Sequence, residues 1–417
     1  MNTAARPSLP AHIDVFSPAV YADETRLHAD LAHLRRHQPI SWVDREPYRP
    51  FWLITRNEDV KLIGKNADIF INAPRLTLIP SAIEEATLAR NGSRTGASRT
   101  LLDMDAPEHA QYREIAARWF IGSGLRKLTA HIETIAENFV QRMVTADGKC
   151  DFASDIAVWY PLEIIASLLG APLEDAPFIL RMTQALLASG DPELQQAGDY
   201  GASAFMEFSG YLGKMLAERQ ARPTDDLTSA IANATIGGQP IGMVEALSYV
   251  LLVITAGHDT TSGALAGGML GFATHPGELA KLQADPGLMR NASNEICRWV
   301  SPVRHFLRTA TEDFTLRDIT IRAGESALMI YPSANRDEAV FDDPDVFRVD
   351  RNTSGHVAFG YGAHACIGRQ LALLEMDALF SRLAPRLQSL ELDGPPVPIA
   401  SNFVGGYRKL PIRYTLR

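Results

Sequence analysis

Residues Phe359–Gly368 read FGYGAHACIG and place one cysteine among three glycines and a histidine, directly before an apolar helical pattern. A thiol in an apolar loop should resist ionisation, because burial disfavours the charged form. A bound metal reverses this preference, and free backbone N–H groups at the start of the following helix help to hold the negative charge. Gly360, Gly362 and Gly368 would allow tight turns against a large flat ligand. The stretch therefore predicts either a buried structural cysteine or a metal-bound thiolate at Cys366.

The composition excludes several classes of protein. The chain has 417 residues, 46% of them hydrophobic, so it can bury a large core. Its formal net charge of -9 argues against a nucleic-acid-binding surface, which needs a dense basic face. Cys150, Cys297 and Cys366 are far apart and form no C-x-x-C pair, so neither a disulfide framework nor a structural zinc site fits. We expect a reducing cytoplasm and a small organic substrate.

Two segments bear on membranes and targeting. The N-terminal MNTAARPSLPAHIDVF carries prolines where a signal peptide needs a continuous apolar stretch, so we expect the mature protein to begin near Met1. The segment Ile241–Ala273 is long and mostly apolar, but its centre, HDTTS, would be costly at bilayer depth. We therefore expect a long buried helix and no membrane partner.

The coarse secondary structure is mainly α with small β-sheets. Ile40–Val43 and Phe51–Thr55 predict an early hairpin, and the alternation over Phe314–Tyr331 predicts a second β-rich patch. Helical spacing follows the cysteine, at Ile367, Leu371, Leu374 and Ala378. Residues 72–100 are polar and glycine-containing in their second half, which predicts a long mobile loop acting as a lid. No linker interrupts the chain, so we expect one catalytic domain over residues 1–417.

The spacing around the cysteine identifies a family. F-G-x-G-x-H-x-C-x-G has six fixed positions, all present here, and it resembles the haem-binding signature of the cytochrome P-450 family. The resemblance implies the P-450 fold, with haem b (iron protoporphyrin IX) buried between the long central helix and the helix after the cysteine loop. It also implies Cys366 as the axial iron ligand, with Phe359 packed beside the sulfur and Gly368 in the same loop. A zinc site using His364 and Cys366 lacks two further clustered ligands.

Other segments supply the cations that haem propionates need. LLDMDAPEHAQYREIAARWF resembles the family's helix at the haem edge and carries His109 and Arg113 one turn apart. Arg308 in FLRTATEDF occupies the position of the family's propionate-binding arginine, and His364 matches a third such contact. Each residue alone is ambiguous, but they match the family together.

A structural network is implied behind the loop. Glu295 and Arg298 form an E-x-x-R pair of a kind that helices use everywhere. Arg351, in FRVDR, resembles the arginine of the family's meander that bridges to this pair. The resemblance gives the three residues a structural role.

The long helix carries the catalytic pattern. Ala256, Gly257, Asp259 and Thr260 match the family's A-G-x-[DE]-T, and His258 should point away from the ligand. An isolated D-T-T would be read as an ordinary buried helix whose threonine bonds back to its own turn. With Cys366 present, Asp259 and Thr260 are expected to relay protons in a monooxygenation that uses O2 and two electrons.

The substrate pocket is expected to be apolar. Its candidate walls come from four segments: Leu76, Leu78, Ala256, Val303, Phe306, Phe403 and Val404. Arg304 is expected to face outward. The runs DMDAPEH, YPSANRDE, AGHDTTS and NFVGG resemble the bacterial branch that includes α-terpineol hydroxylase, which implies a monoterpenoid or alkyl-aromatic substrate.

We expect electrons to come from another protein, since the sequence shows no reductase domain. The resemblance implies a 2Fe–2S ferredoxin with its NAD(P)H-dependent reductase, and Arg118, Arg126, Lys127 and Arg369 are candidate docking residues. We expect a monomer. A haem-thiolate sensor or binding protein and a peroxide-driven peroxygenase are the alternatives, and the Asp259–Thr260 pair argues against both.

Overall fold

A computed structural model describes residues 6–91, 100–187 and 200–417. Helices make up most of these residues and the sheets are small, as predicted. The α-helices are, in chain order, α1 (Glu24–His37), α2 (Asn57–Lys65), α3 (Ser81–Asn91), α4 (Glu108–Phe120), α5 (Gly122–Thr145), α6 (Trp159–Leu169), α7 (Ala176–Leu187), α8 (Tyr200–Ala221), α9 (Leu227–Ala232), α10 (Met243–Thr274), α11 (Pro276–Ala284), α12 (Met289–Val300), α13 (Tyr331–Ala334) and α14 (Arg369–Leu383).

The strands form one larger sheet and several small ones. In chain order they are β1 (Ile40–Val43), β2 (Phe51–Ile54), β3 (Phe70–Ile71), β4 (Lys149–Asp151), β5 (Thr235–Ile236), β6 (Gln239–Pro240), β7 (His305–Ala310), β8 (Phe314–Leu316), β9 (Ile319–Ile321), β10 (Ser326–Ile330), β11 (Leu387–Leu392), β12 (Val397–Pro398), β13 (Tyr407–Lys409) and β14 (Pro411–Leu416). The five-stranded sheet has the order β1-β2-β10-β7-β3, and the three-stranded sheet has the order β11-β14-β4. The pairs β5-β6, β8-β9 and β12-β13 are two-stranded.

The long apolar segment forms one helix, α10, of 32 residues. It begins after Gly242 and ends at Thr274, with His275 at its C-cap. Pro276 then starts α11, since proline has no N–H to continue the ladder. Its C-terminal half packs closely on α12: a Cβ on Gly267 would lie 2.4 Å from the Val300 side chain, and one on Gly268 would lie 2.8 Å from Ile296. Small residues thus bring α12 against the central helix.

Two β predictions are confirmed and the prediction of an uninterrupted loop over residues 72–100 is wrong. β1 pairs antiparallel with β2, with Ile40 opposite Ile54, and β8, β9 and β10 lie within Phe314–Tyr331. Inside residues 72–100, Ser81–Asn91 is helical. It begins with Ser81, whose backbone N–H donates to Pro47 O. Residues 92–99 of the predicted loop lie outside the described residues.

The helix after the cysteine starts slightly later than its apolar spacing predicts. α14 begins at Arg369, with Gly368 at its N-cap, so Ile367 precedes the helix. Leu371 and Ala378 are buried, as the spacing indicates. Among the helices of the described residues, none is long and apolar enough to cross a lipid bilayer.

Candidate functional site

A cavity lies between α10 and the segment that runs from Ala358 through the cysteine loop into α14. α4 and β7 line its edges, with Arg113 and Arg308 among their contributions. The apolar side chains that line it come from several elements, and they include Leu101, Leu102, Phe120, Ile165, Leu252, Val253, Ala256, Val303, Phe306, Phe359 and Leu371. The cysteine loop and the long helix, both predicted from sequence to be functional, therefore line the same cavity.

The cysteine loop is held by its own backbone. Cys366 N donates to Phe359 O at 2.8 Å, and Gly360 and Gly362 have φ of +71° and +79°, where L side chains are strained. A Cβ at Gly362 would also lie 2.0 Å from Gly64 O, so the loop passes directly over α2. Gly368 has φ of -82° and does not need to be glycine for its backbone conformation. The loop geometry thus depends on Gly360 and Gly362.

Cys366 lines the cavity and retains accessible surface. Burial raises the pKa of the Cys366 thiol. The backbone N–H groups of Gly368 and Arg369 and the charges of Arg113 and Arg369 act in the opposite direction and favour the thiolate. The start of α14 therefore offers partial compensation for a negative sulfur, and a bound cation would supply the rest.

The structure brings all four predicted cationic residues to one edge of the cavity. The rings of His109 and His364 lie 3.9 Å apart between centroids, and Arg113 donates to Ala365 O at 2.7 Å. Arg308 is 5% exposed and donates to Leu307 O, a neutral carbonyl. Burial, followed by the charge of Arg113, lowers the pKa of His109, and burial with neighbouring cations lowers that of His364 to about 3.

This edge fits a ligand that brings carboxylates. A buried guanidinium is costly without an anion, and Arg308 forms no ion pair within the described parts of the chain. Burial lowers its pKa, and the charge of Asp105 counters this only in part. The propionates of haem would neutralise Arg308 and Arg113, and the iron would meet the sulfur of Cys366. The residues present therefore fit haem.

Asn72 belongs to the same edge, although the sequence reasoning missed it as a site residue. Its side-chain nitrogen lies 3.0 Å from His364 Nδ1 and donates to Leu102 O at 2.6 Å. Asp105 accepts from the backbone N–H groups of Asn72 and Ala73. Sequence alone offers no periodic signal for such a contact, because it joins a loop to residues about 290 positions away.

The catalytic pattern on α10 is split between two faces. Thr260 lines the cavity with Ala256 and Gly257, and its hydroxyl donates back to Ala256 O at 2.9 Å. Asp259 does not line the cavity, since its Oδ1 lies 3.0 Å from Nε2 of His258. His258 is fully buried and faces away from the cavity, as expected. The predicted relay pair is therefore adjacent in sequence but divergent in direction.

Several predicted pocket residues do not line the cavity. Ala256, Val303 and Phe306 do so, whereas Leu76, Leu78, Phe403 and Val404 lie behind them. Leu78 is buried in a separate core cluster, and Leu76 O accepts from Leu307 N. Phe403 packs on Phe306 with centroids 5.5 Å apart, and Val404 bridges to Val303. Leu76, Phe403 and Val404 thus support the first layer of the wall instead of forming it, and Leu78 belongs to a separate core cluster.

The wall also contains residues that the sequence reasoning missed. Tyr249, Leu252 and Val253 precede Ala256 by seven, four and three positions, the spacing of one helical face, so this signal was present in the sequence. Ile165 of α6 had no such signal. A Cβ at Gly257 would lie 2.5 Å from the Ile165 side chain, so the glycine admits α6 against α10.

The prediction that Arg304 faces outward is wrong. Its side chain is 3% exposed, pairs with Glu24 at 3.3 Å and lies over the ring of Tyr21. It also donates to Val300 O at 3.1 Å. A long apolar stem and the two acceptors, Glu24 and Val300 O, make burial of the guanidinium tolerable.

The structure brings the three residues of the predicted network together. Arg298 contacts Glu295 through Nε at 2.6 Å, and Arg351 Nε lies 3.1 Å from Glu295 Oε1. Arg298 also donates to Asn335 O and Pro344 O, each at 2.8 Å. All three charged side chains are buried, so one carboxylate compensates two guanidinium groups that hold several backbone carbonyls.

Comparisons with known proteins agree with this geometry. The family model described as Cytochrome P450 matches residues 287–404. The chain is 38% identical to "Cytochrome P450-terp" of Pseudomonas sp. over 99% of both chains. It is 32% identical to the "Steroid C26-monooxygenase" of Mycolicibacterium smegmatis, over 98% of this chain and 95% of the relative.

Solved structures share the fold. CYP108D1 from Novosphingobium aromaticivorans superposes with a TM-score of 0.91 at 35% identity, covering 99% of this chain and 100% of that one. Cytochrome P450 CYP268A2 of Mycobacterium marinum, solved in complex with pseudoionone, gives a TM-score of 0.88 at 28% identity, covering 99% and 100%. The similarity therefore extends over nearly the full chain.

Removing the carboxylate of Glu295 should prevent haem incorporation. Glu295→Ala leaves Arg298 and Arg351 buried without their anion, which costs about 3–5 kcal/mol. The measurement is the ratio of haem to protein in the purified variant. Glu58→Ala, which removes a carboxylate from an exposed ion pair with Arg317, is the control and should retain haem. A normal haem content in Glu295→Ala would contradict the structural role.

Replacing Arg308 should change the haem-free and haem-bound proteins in opposite directions. Arg308→Met removes an uncompensated buried charge, so the melting temperature of the haem-free protein should rise. Loss of a charge-assisted contact worth about 1.5–3 kcal/mol should speed haem release to an acceptor protein on the order of tenfold or more. Arg317→Met, at a partly exposed arginine, is the control. Unchanged haem release would contradict the assignment of Arg308.

Proposed function

Because the chain belongs to the cytochrome P450 family, we propose that it hydroxylates a small hydrophobic compound, either a monoterpenoid or an alkyl-aromatic hydrocarbon. The chain is a P450 monooxygenase, and its family uses haem b, iron protoporphyrin IX. The resemblance to the bacterial branch that includes α-terpineol hydroxylase is confirmed by the full-length relatives. Relatives named as monooxygenases favour turnover over a sensor or a peroxide-driven enzyme.

The observation that carries the substrate class is the wall above the cysteine loop. Phe120, Ile165, Leu252, Val253 and Phe306 line it with apolar side chains from four separate elements. The charged lining residues belong to α4, β7 and α14. A ligand on the α10 side therefore meets almost no group that could pair with a charge, which favours an uncharged hydrocarbon. A relative named P450-terp and a similar structure solved in complex with pseudoionone support the same class.

The residues that we propose to hold haem line one cavity. Cys366 would bind the iron through its sulfur, and Arg308, Arg113, His109 and His364 would face the propionates. Phe359 lines the cavity and lies under the guanidinium of Arg369, at 5.4 Å from its ring centroid. Haem with a thiolate ligand supplies O2 activation, since the sulfur pushes electron density that favours O–O cleavage.

The chain's own contribution on the other side is orientation, a dry wall and a proton source. Thr260 presents a hydroxyl at the cavity surface, and Asp259 stands one position before it. The hydroxyl now bonds to Ala256 O, so it must turn from that carbonyl to donate into the cavity. Asp259 must likewise reach Thr260 by rotation or through water, because its Oδ1 is bonded to His258. Proton transfer through Asp259 and Thr260 is therefore part of the proposed function.

Electrons are proposed to come from a 2Fe–2S ferredoxin and an NAD(P)H-dependent reductase. Arg118, Arg126, Lys127 and Arg369 are all exposed. Lys127 is partly engaged with Asp225 at 3.3 Å, whereas Arg118 and Arg126 form no ion pair with other residues that the structure describes. Exposed cations near the start of α5 and α14 would attract an acidic partner toward the sulfur side.

Three further expectations remain part of this proposal. They are a single catalytic domain over residues 1–417, a monomeric state and a cytoplasmic location. We propose the cytoplasmic location because the reductase would consume NAD(P)H there.

The substrate class is tested by binding. Monoterpenes and alkylbenzenes should displace water from the haem and shift its spin state, and the bound compounds should yield hydroxylated products with the reconstituted donor. A steroid serves as the comparison compound, because a curated relative acts on steroids by name. If a steroid alone shifts the spin state, the proposed substrate class is wrong.

Removing the hydroxyl of Thr260 should uncouple the reaction. Thr260→Ala should leave substrate binding unchanged, because the wall stays apolar, while a larger share of the electrons ends in hydrogen peroxide. The measurement is peroxide released and product formed per NAD(P)H consumed. Thr255→Ala is the matched control, since Thr255 makes the same bond to the preceding turn, at 2.9 Å to Leu251 O, but does not line the cavity. Unchanged coupling in Thr260→Ala would remove this hydroxyl from the mechanism.

Charge reversal should slow reduction by the donor. Arg126→Glu at the start of α5 should lower the rate of ferredoxin-dependent reduction several-fold at low salt and much less at high salt, because exposed charges are screened. Arg142→Glu, near the other end of the same helix, is the control. A reduction rate without salt dependence would count against this docking face.

A further inference from the structure

His258 is a buried titratable group that the proposed mechanism leaves without a role. It lies on α10 between Gly257 and Asp259, its side chain is fully buried, and it does not line the cavity. Nε2 lies 3.0 Å from Asp259 Oδ1 and 3.3 Å from Thr183 Oγ1 on α7. Nδ1 lies 2.9 Å from Ile254 O. Each ring nitrogen is therefore within hydrogen-bond distance of oxygen.

The hydrogen-bond partners determine how many protons the ring needs. Ile254 O can only accept, so Nδ1 carries a proton. Thr183 Oγ1 has its own acceptor, Leu180 O at 3.1 Å, so it need not donate to the imidazole. A carboxylate oxygen at 3.0 Å from Nε2 requires a second proton between the two atoms. A neutral imidazole has one N–H, so the ring and the carboxylate together hold one more proton than a neutral ring beside a carboxylate.

Electrostatics agree with this count. Burial lowers the pKa of His258, but the charge of Asp259, its hydrogen bond and the bond to Ile254 O outweigh burial and hold the pKa above its ordinary value. Asp259 is the charged group that acts on the ring, and α7 contributes the uncharged Thr183. Because the folded-state pKa is raised, the shared proton is present at lower pH and is lost as the pH rises through that pKa.

The same contact sets the orientation of Asp259. Its Oδ1 is held by His258, and its Oδ2 is buried without a hydrogen-bond partner in the described residues. Oδ2 is thus the atom left to bind water or to pass a proton toward Thr260. The side chain of Asp259 is 19% exposed, so solvent can restore the proton.

We propose that His258 is a positioning residue that holds Asp259 through Oδ1 and shares with it one buried proton on which the relay to Thr260 draws. When that proton leaves, His258 remains as neutral imidazole and Asp259 as carboxylate, and a proton from water restores the pair. This inference rests on the proposed function, because a relay matters only where O2 is reduced.

The charge state is tested without turnover. Protein labelled with ¹⁵N-histidine is studied by NMR as the diamagnetic ferrous carbon monoxide complex, and His258→Gln identifies the signal. His258 should carry two N–H protons at neutral pH, and Asp259→Asn should remove one of them. A singly protonated His258 in the unmutated protein at neutral pH would overturn the proposal. This result stands whether or not the protein oxidises a hydrocarbon, so it is separate from the test of the proposed function.

The positioning role is tested by coupling. His258→Leu removes the donor to Asp259 and should raise peroxide release per NAD(P)H several-fold. His258→Gln keeps a donor in place of Nε2 and should restore part of the coupling, without the loss of coupling at high pH expected of the unmutated enzyme. His275→Gln, at the end of the same helix, is the control and should couple normally. If both His258 variants show the coupling and the pH profile of the unmutated enzyme, the positioning role is overturned.

A variant that fails to fold is recognised by its carbon monoxide spectrum and melting temperature. Should His258→Leu be unstable, His258→Gln alone decides. A pH profile identical to that of the unmutated enzyme would overturn the proposal, and a flattened profile at high pH would support it.

Discussion

A negative sulfur cannot be held in an apolar interior unless other charges and dipoles compensate it, and the site is built around this constraint. Burial raises the pKa of Cys366, while the N–H groups at the start of α14 favour the thiolate. Those groups do not suffice on their own, since the pKa remains raised. A bound iron would supply the missing positive charge and stabilise the thiolate.

The constraint has a counterpart at the other edge of the cavity. Arg308 is buried beside a neutral carbonyl, and the pKa values of His109 and His364 are lowered. These groups lack an anion, and the sulfur lacks a cation. Haem would bring both, an iron for Cys366 and two propionates for the cationic edge. The two unsatisfied halves of the cavity are therefore explained by one ligand.

Much of this arrangement could be predicted from sequence, for physical reasons that differ between residues. Cys366 and the loop glycines are local, since a tight turn before a helix demands particular residue types; Gly360 and Gly362 have positive φ, whereas Gly368 does not. The cavity wall beyond Ala256 was harder to predict from sequence. Leu76 and Leu78 are apolar, but Leu78 lies in a different core cluster and Leu76 supports β7.

Other features could not be predicted from the sequence, because they depend on side-chain directions that only the folded chain sets. Arg304 looked like a surface cation but finds Glu24 some 280 positions away. Asp259 follows the family pattern, yet its carboxylate is turned to His258 and away from the cavity. Adjacent residues on a helix do not normally face each other, so the sequence pattern does not predict this contact.

The bond between haem iron and the sulfur of Cys366 can be measured in the absorption spectrum of the reduced carbon monoxide complex. The purified protein should show the strongly red-shifted Soret band of thiolate-ligated haem, and Cys366→Ser should lose it. A Soret band at the same position in both proteins, or a protein that stays colourless when haem is supplied, would contradict the account.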